Sequence, residues 1–467
     1  IGYEGGLKLI NFFAVHNIDF NKAWKAKQSG WHDQTRAIFA NAEIGWKSMI
    51  YLTATGRNDW DSRLAFSDYK SFFYPSIGLS AILTSMFNAP DWLTYLKVRG
   101  SYTEVGNSYG RFMTTVTYPY DEQTQSWTST SSYPNTKLKP ERTKSWEVGL
   151  DARILNDISL NLTYYRSNTY NQTFYADLSL SSGYSNIPIQ SGNIMNEGLE
   201  MSLGYNKQWK DFSFNTNYTL TWNKNRVKRL ADGVYNYATG QPIQMPELSP
   251  LTYGHTDARL ILRVGGSMGD VYGQRLLKRD LNGYILNEEG VGLAMENKET
   301  YLGSILPKMN MGWSLGFGYK GVNLGMTFTG RFGGIVISET QSVLDAAGVS
   351  KVSADVRDAG GVQINQSKVS AQTYYQTIQG TAAYYTYSAT NVRLGELSLS
   401  YTLPKKWFDN KVGMTVGLVG KNLWMIYCKA PFDPELTTSA ASNFYQGFDA
   451  YMLPSTRNFG FNVKFQF

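Results

Sequence analysis

The chain has 467 residues, a formal net charge of +7 and a single cysteine, Cys428, which excludes an intrachain disulfide framework. Its 44 Lys and Arg residues are scattered, with no basic stripe of the kind nucleic-acid binding uses. Aromatic residues make up 15% while mean hydropathy is −0.33, and no apolar run approaches the roughly 18 residues of a membrane-spanning helix, so helical spanning is excluded.

The composition is uniform, with no linker or charge block, and predicts one large architecture. Residues 1–34 read as irregular, an extracellular loop or a truncated barrel segment, and 35–467 as the C-terminal part of a β-barrel with long loops. From about Thr35 onward apolar residues recur at every second position, the period of a strand with one apolar face. In chain order the clearest runs are Trp146, Val148, Leu150; Ile158, Leu160, Leu162, Tyr164; Leu199, Met201, Leu203, Tyr205; and Phe212, Phe214, Tyr218, Leu220, Trp222. Further on come Met311, Trp313, Leu315, Phe317, Tyr319; Val322, Leu324, Met326, Phe328; and Leu397, Leu399, Tyr401, Leu403. The intervening positions carry Ser, Thr, Asn, Gly and a few charges such as Glu147, Glu200 and Glu396.

The last nine residues alternate without interruption: Phe459, Phe461, Val463, Phe465 and Phe467 share one parity, and Asn462, Lys464 and Gln466 the other. Nine residues of strand span about 30 Å, enough to cross a tilted path through hydrocarbon. On a soluble sheet such an aromatic terminal strand would invite edge-to-edge aggregation, so lipid is the expected partner for that face.

Connections alternate in length. Short ones are expected near Lys47, across 87–91, 155–157, 207–210, 320–321 and 404–410, and long ones across roughly 58–71, 105–142, 169–196, 224–307, 332–390 and 422–456. Outer-membrane barrels pair short periplasmic turns with long extracellular loops, so the chain reads as an all-β, transmembrane antiparallel β-barrel. Thirteen strands are counted, and since bacterial single-chain barrels carry an even number, further strands are expected upstream of Ile1.

Several stretches, in this order, resemble the C-terminal barrel half of SusC-like TonB-dependent transporters of Bacteroidota outer membranes. They include Thr55-Gly-Arg-Asn-Asp-Trp60, Phe73-Tyr-Pro-Ser-Ile-Gly-Leu-Ser80, Tyr95-Leu-Lys-Val-Arg-Gly-Ser-Tyr-Thr-Glu-Val-Gly-Asn107 and Leu138-Lys-Pro-Glu-Arg-Thr-Lys-Ser-Trp-Glu-Val-Gly149. Asn196-Glu-Gly-Leu-Glu200, Gly420-Lys-Asn-Leu-Trp424, Asp433-Pro-Glu435 and Pro454-Ser-Thr-Arg-Asn-Phe459 follow. The resemblance implies a portion of a 22-stranded barrel whose plug domain is absent from this chain. It also implies a TonB contact through the N-terminal part, a SusD-like lid lipoprotein, and a dimer of transporter–lipoprotein pairs. The terminal Phe459, Phe461, Val463, Phe465 and Phe467 look like the signal read by the barrel-assembly machinery.

Only His16, His32 and His255 occur, none at a metal-ligand spacing to Cys or carboxylates, and there is no G-x-S-x-G elbow, so no metal, cofactor or enzymatic activity is expected. The candidate binding residues are loop aromatics: Tyr118, Tyr120, Trp127, Tyr133, Tyr184, Tyr384 and Tyr385, with Tyr374, Tyr375, Tyr387, Phe444 and Tyr445 as further members. Sugar C–H faces stack on such rings, and Tyr adds a hydroxyl; the competing reading is that the rings pack loop against loop, against the lid, or at the interfacial belt. The expected function is import of oligosaccharides energised through TonB, the alternatives being oligopeptides or a passive porin or adhesin barrel.

Overall fold

In a computed structural model the described residues are 9, 17 and 31–467, apart from 119, 122–125, 129, 191, 236–239, 246, 289–291, 410 and 440–442. Thirteen long strands form one antiparallel sheet in strict chain order. They are β1 (Thr35–Trp46), β2 (Ile50–Asp61), β3 (Phe72–Ile82), β4 (Leu93–Asn107), β5 (Glu141–Ile154), β6 (Ile158–Tyr170) and β7 (Asn193–Trp209). The rest are β8 (Phe212–Arg229), β9 (Met309–Tyr319), β10 (Val322–Phe332), β11 (Asn391–Leu403), β12 (Gly413–Cys428) and β13 (Asn458–Gln466). Most of the expected loop segment before Thr35 lies outside the described residues. Among the described residues no helix is long and apolar enough to cross a membrane.

Register shows why the alternation folds this way. Val98, Leu150, Leu162, Met201, Leu220 and Met311 stand side by side across six consecutive strands, β4 to β9. Phe214, Phe317, Leu324, Leu399, Leu418 and Phe461 continue the same face from β8 to β13. One residue along, Arg99, Gly149, Thr163, Glu200, Thr221 and Asn310 line the other face. A slip of one residue would exchange the two faces, so a continuous apolar sheet on one side pins the register throughout. Phe459, Phe461, Val463 and Phe465 lie on the apolar face opposite Gly420, Leu418, Val416 and Met414, while Asn462 and Lys464 face away with Gly417 and Thr415. β1 and β13 are the two edge strands of the sheet, and every residue in them is exposed.

The short connections are hairpin turns. Lys320 and Gly321 have φ of +47° and +90°, the doubly left-handed pattern whose twist matches that of the flanking strands. Leu155 and Asn156 repeat it at +51° and +61°. A brief helix, α1 (Leu83–Met86), interrupts the β3–β4 link.

All six long connections leave from the opposite end, and the last three of them fold together into a cap. It contains a four-stranded sheet of Glu247–Thr252, Arg259–Arg263, Asp270–Leu277 and Met295–Ser304, and a three-stranded one of Thr386–Ser388, Ile335–Ser338 and Phe448–Asp449. Three helices, α2 (Glu339–Ala346), α3 (Lys351–Asp358) and α4 (Ala371–Ile378), each begin on a serine that accepts a backbone N–H of the first turn. The cap has its own core, with Tyr253, Leu260, Val271, Ile305, Ile337 and Phe448 at 3% exposure or less. A fully buried Leu, Ile, Val or Phe side chain of this kind contributes roughly 1.5–3 kcal/mol, so these connections are held as a folded unit.

Candidate functional site

The connection between β4 and β5 raises a short hairpin whose strands are Tyr120–Asp121 and Ser126–Trp127. Tyr120 and Trp127 are directly opposed, their rings 5.0 Å apart and inclined at 56°. Trp127 is 70% exposed, Tyr118 61% and Tyr120 49%, so three of the candidate aromatics present open ring faces on one loop.

The other four candidates pack. Tyr133 and Tyr184 meet edge to face at 5.1 Å, and Tyr133 lies against buried Ala176, Ile187 and Ile189. Backbone bonds from Tyr133 to the Asn186 carbonyl and from Ser185 to the Ser131 carbonyl, 2.8 and 2.7 Å, lock these two connections together. Tyr385 is buried at 3% in a cluster with Leu277, Ile364, Ala371, Tyr375 and Ile378, and burial pushes its hydroxyl pKa up. Tyr384 leans on the same cluster, its hydroxyl accepting the Leu277 N–H at 3.1 Å. Of the further aromatics, Tyr375 belongs to this cluster and Phe444 and Tyr445 pack on the core around Tyr253. Tyr253 itself is fully buried and donates to the Phe444 carbonyl at 2.7 Å.

Charged residues on the polar face form networks that reading for aromatics missed. Arg99 of β4 contacts Asp151 of β5 at 2.8 Å and donates to the Thr163 hydroxyl of β6 at 2.7 Å, and Lys97 lies 3.7 Å from the same carboxylate. Arg57 pairs with Asp59 at 2.7 Å, and the Tyr74 hydroxyl donates to that aspartate at 2.9 Å. These residues share the polar parity of their strands, a signal present in the alternation itself.

Two carboxylates fasten cap to sheet. Asp433 receives both terminal nitrogens of Arg393, at 3.0 and 2.7 Å, while Glu435 approaches the same guanidinium at 3.3 Å. Burial opposes charge on Asp433, but hydrogen bonds from Arg393 and from the Glu435 N–H outweigh it and hold its pKa below the ordinary value. Inside the cap, Asp257 accepts the N–H groups of Gln274, Arg275 and Ala382 at 3.1, 2.7 and 2.6 Å. Asp270 behaves oppositely to Asp433. Its burial raises the pKa, only partly offset by the Ser267 N–H at 2.8 Å and the Tyr301 hydroxyl at 3.2 Å. Burial and the adjacent Asp270 push the Tyr301 hydroxyl up to about 12.

A cleft of about 590 Å³ opens where the cap meets the upper part of β8, lined by Asn223, Asn225, Ser267, Asp270 and Tyr301 among others. Asn225 crosses its margin, accepting the Met268 N–H at 2.7 Å. Among the described residues no group of three His, Cys, Asp or Glu side chains could hold a metal ion. The site as a whole is an exposed aromatic pair and a folded cap at one end of a sheet whose polar face carries paired charges.

The family model for the TonB dependent receptor-like β-barrel matches residues 12–423. The chain belongs to that family. It is therefore an outer-membrane barrel protein, and the apolar face of its sheet is the face turned to lipid. It is 25% identical over 468 residues to TonB-dependent receptor P3 of Formosa agariphila, covering 92% of this chain and 45% of the relative. It is 25% identical over 217 residues to TonB-dependent receptor SusC of Bacteroides thetaiotaomicron, covering 46% of this chain and 19% of that receptor. Among solved structures, the RagAB peptide importer in its open-open state superposes with a TM-score of 0.71 at 20% identity, over 93% of this chain and 47% of that one. The chain thus spans less than half the length of these relatives, and the likeness to RagAB is one of fold.

Proposed function

We propose that this receptor barrel serves active import across the outer membrane, energised through TonB and working with a SusD-like lipoprotein seated on the cap. Family membership supports the transport role. The finer reading is that the cargo is an oligosaccharide, and the observation that carries it is the exposed Tyr120–Trp127 pair with Tyr118 exposed on the same loop. Flat rings with open faces next to hydroxyls match the C–H faces and hydroxyls of pyranose rings. Insertion by the barrel-assembly machinery through the strand ending at Phe467, and pairing of two transporter–lipoprotein units, complete the proposal.

A second reading is import of oligopeptides by the same mechanism, favoured by the likeness in fold to a peptide importer. Uptake and growth on defined glycans in a strain lacking the chromosomal copy separate the two. Loss of growth on one glycan, restored by the gene, supports the first reading. Normal growth on every glycan, with peptides co-purifying with the protein, replaces it by the second.

A further inference from the structure

The outward, lipid-facing parity of the sheet is uncharged along β2, β3, β9 and β10, but not in the sector from β4 to β8. There the register stacks three rows. The lowest is Val148, Tyr164, Leu199 and Trp222; the next is Trp146, Arg166, Glu197 and Lys224; the next toward the long connections is Lys144, Asn168, Met195 and Arg226. Same-face neighbours along a strand stand roughly 7 Å apart, so the cations begin within one step of the aromatic row. Trp146 and Tyr164 have their rings 5.4 Å apart, and Trp146 and Trp222 are 41% and 38% exposed, as befits an interfacial belt.

Charge in this sector is unbalanced. Arg142, Lys144, Arg166, Lys224 and Arg226 share the outward face with only two carboxylates, Glu104 and Glu197. Glu104 is shared by Arg142 at 3.1 Å and Lys144 at 3.2 Å, and Glu197 lies 3.9 Å from Lys224. Among the described residues Arg166 and Arg226 enter no ion pair within 4 Å; Arg226 stands beside the buried Met195, and Arg166 stands between Trp146 and Glu197 one row below. By register both guanidiniums lie on the lipid-facing parity, one and two rows above Trp222 on the loop side of the barrel, with Arg226 also at the rim of the cap cleft, which puts them at the height of the outer-leaflet headgroups. Guanidinium forks match phosphate oxygens, and the apolar row beneath matches acyl chains.

We propose that the outward face of β4–β8 binds the phosphorylated headgroup of an outer-leaflet lipid, with Arg166 and Arg226 as its principal ligands. A basic side chain at a membrane surface changes binding by about fivefold, so removing both charges lowers affinity at least about tenfold.

The test uses the protein at its natural length, purified from its own outer membrane, delipidated and titrated with phosphorylated glycolipid extracted from that membrane. Wild type is expected to bind and to retain lipid phosphorus through detergent washing. Arg166→Gln with Arg226→Gln is expected to lose at least about tenfold in affinity, and Arg166→Lys with Arg226→Lys to keep most of it. Heat-modifiable migration reports folding; if the double variant fails to insert, Arg226→Gln alone is read, with a loss of about fivefold. Equal binding by wild type and Gln variants, or no lipid on wild type, overturns the proposal. So does displacement of the lipid by millimolar inorganic phosphate, which would make this a free-anion site.

Discussion

Arg393 of β11 and Asp433 of the last long connection meet through two hydrogen bonds of 3.0 and 2.7 Å, with side chains 10% and 8% exposed. A guanidinium fork on a carboxylate at that depth fixes both position and angle, so this pair sets where the final connection leaves the sheet.

Asp433→Asn should destabilise the protein by about 3 kcal/mol, at the low end for a broken buried pair because Glu435 remains 3.3 Å from the arginine. Since Asp433 titrates below its ordinary value in the fold, its contribution is present above the unfolded carboxylate pKa of about 3.9 and is lost as pH falls through the lower folded one. The heat-modifiability midpoint measured from pH 7 down to pH 2 checks both. An Asn variant as stable as wild type at pH 7 would remove the pair's anchoring role.

Asp270 has the opposite sign. Its folded pKa is raised by burial, so the native cap binds the proton more tightly than the unfolded chain does. The stability it contributes is complete below about pH 3.9 and declines as pH rises through the raised value. Hydrogen exchange at the Asp270–Leu277 strand, corrected for intrinsic rates, should show weaker protection at pH 7 than at pH 4, and Asp270→Asn should flatten that difference. Equal protection at both pH values in wild type would contradict the sign.

The register of β13 makes a third expectation. Phe465 stands opposite Met414 on the lipid face and Lys464 opposite Thr415 on the polar face. Phe465→Asp should reduce inserted barrel, because a charge in the apolar band costs up to a few kcal/mol depending on depth, whereas Lys464→Ser should leave insertion unchanged. Comparing folded, heat-modifiable protein in outer-membrane fractions decides it; the reverse pattern would mean the strand is slipped by one residue.

The sheet was legible in the chain because its rule is local. Each strand must show the same parity to lipid, and the runs from Trp146 to Phe467 display it residue by residue. The cap was not legible, because its order comes from segments far apart. Ile337 pairs with Phe448, and the Ser338 hydroxyl, which caps α2, also donates to Asp449 across 111 positions at 2.6 Å. Strands of two to four residues carry too little periodicity to announce such pairings. For the same reason composition marks Tyr120 and Tyr385 as equals. Only the convergence of the 230–308 and 333–390 connections puts Tyr385 in a core while Tyr120 stays open.

That difference yields the last prediction. Tyr120→Ala with Trp127→Ala removes exposed rings that support nothing in the cap, so barrel yield and thermal midpoint should stay at wild-type values. Each stacking contact contributes about 0.5–1.5 kcal/mol, so capture of the cargo should weaken by roughly tenfold or more for the pair. Tyr385→Ala should do the reverse, since emptying a buried aromatic site costs about 3–5 kcal/mol and loosens the cluster with Tyr375 and Ile378. Measuring cargo affinity and thermal midpoint on the same two variants separates the roles. If the Tyr120 and Trp127 change leaves affinity untouched while Tyr385→Ala abolishes it without altering stability, binding belongs to the cap interior and not to the hairpin.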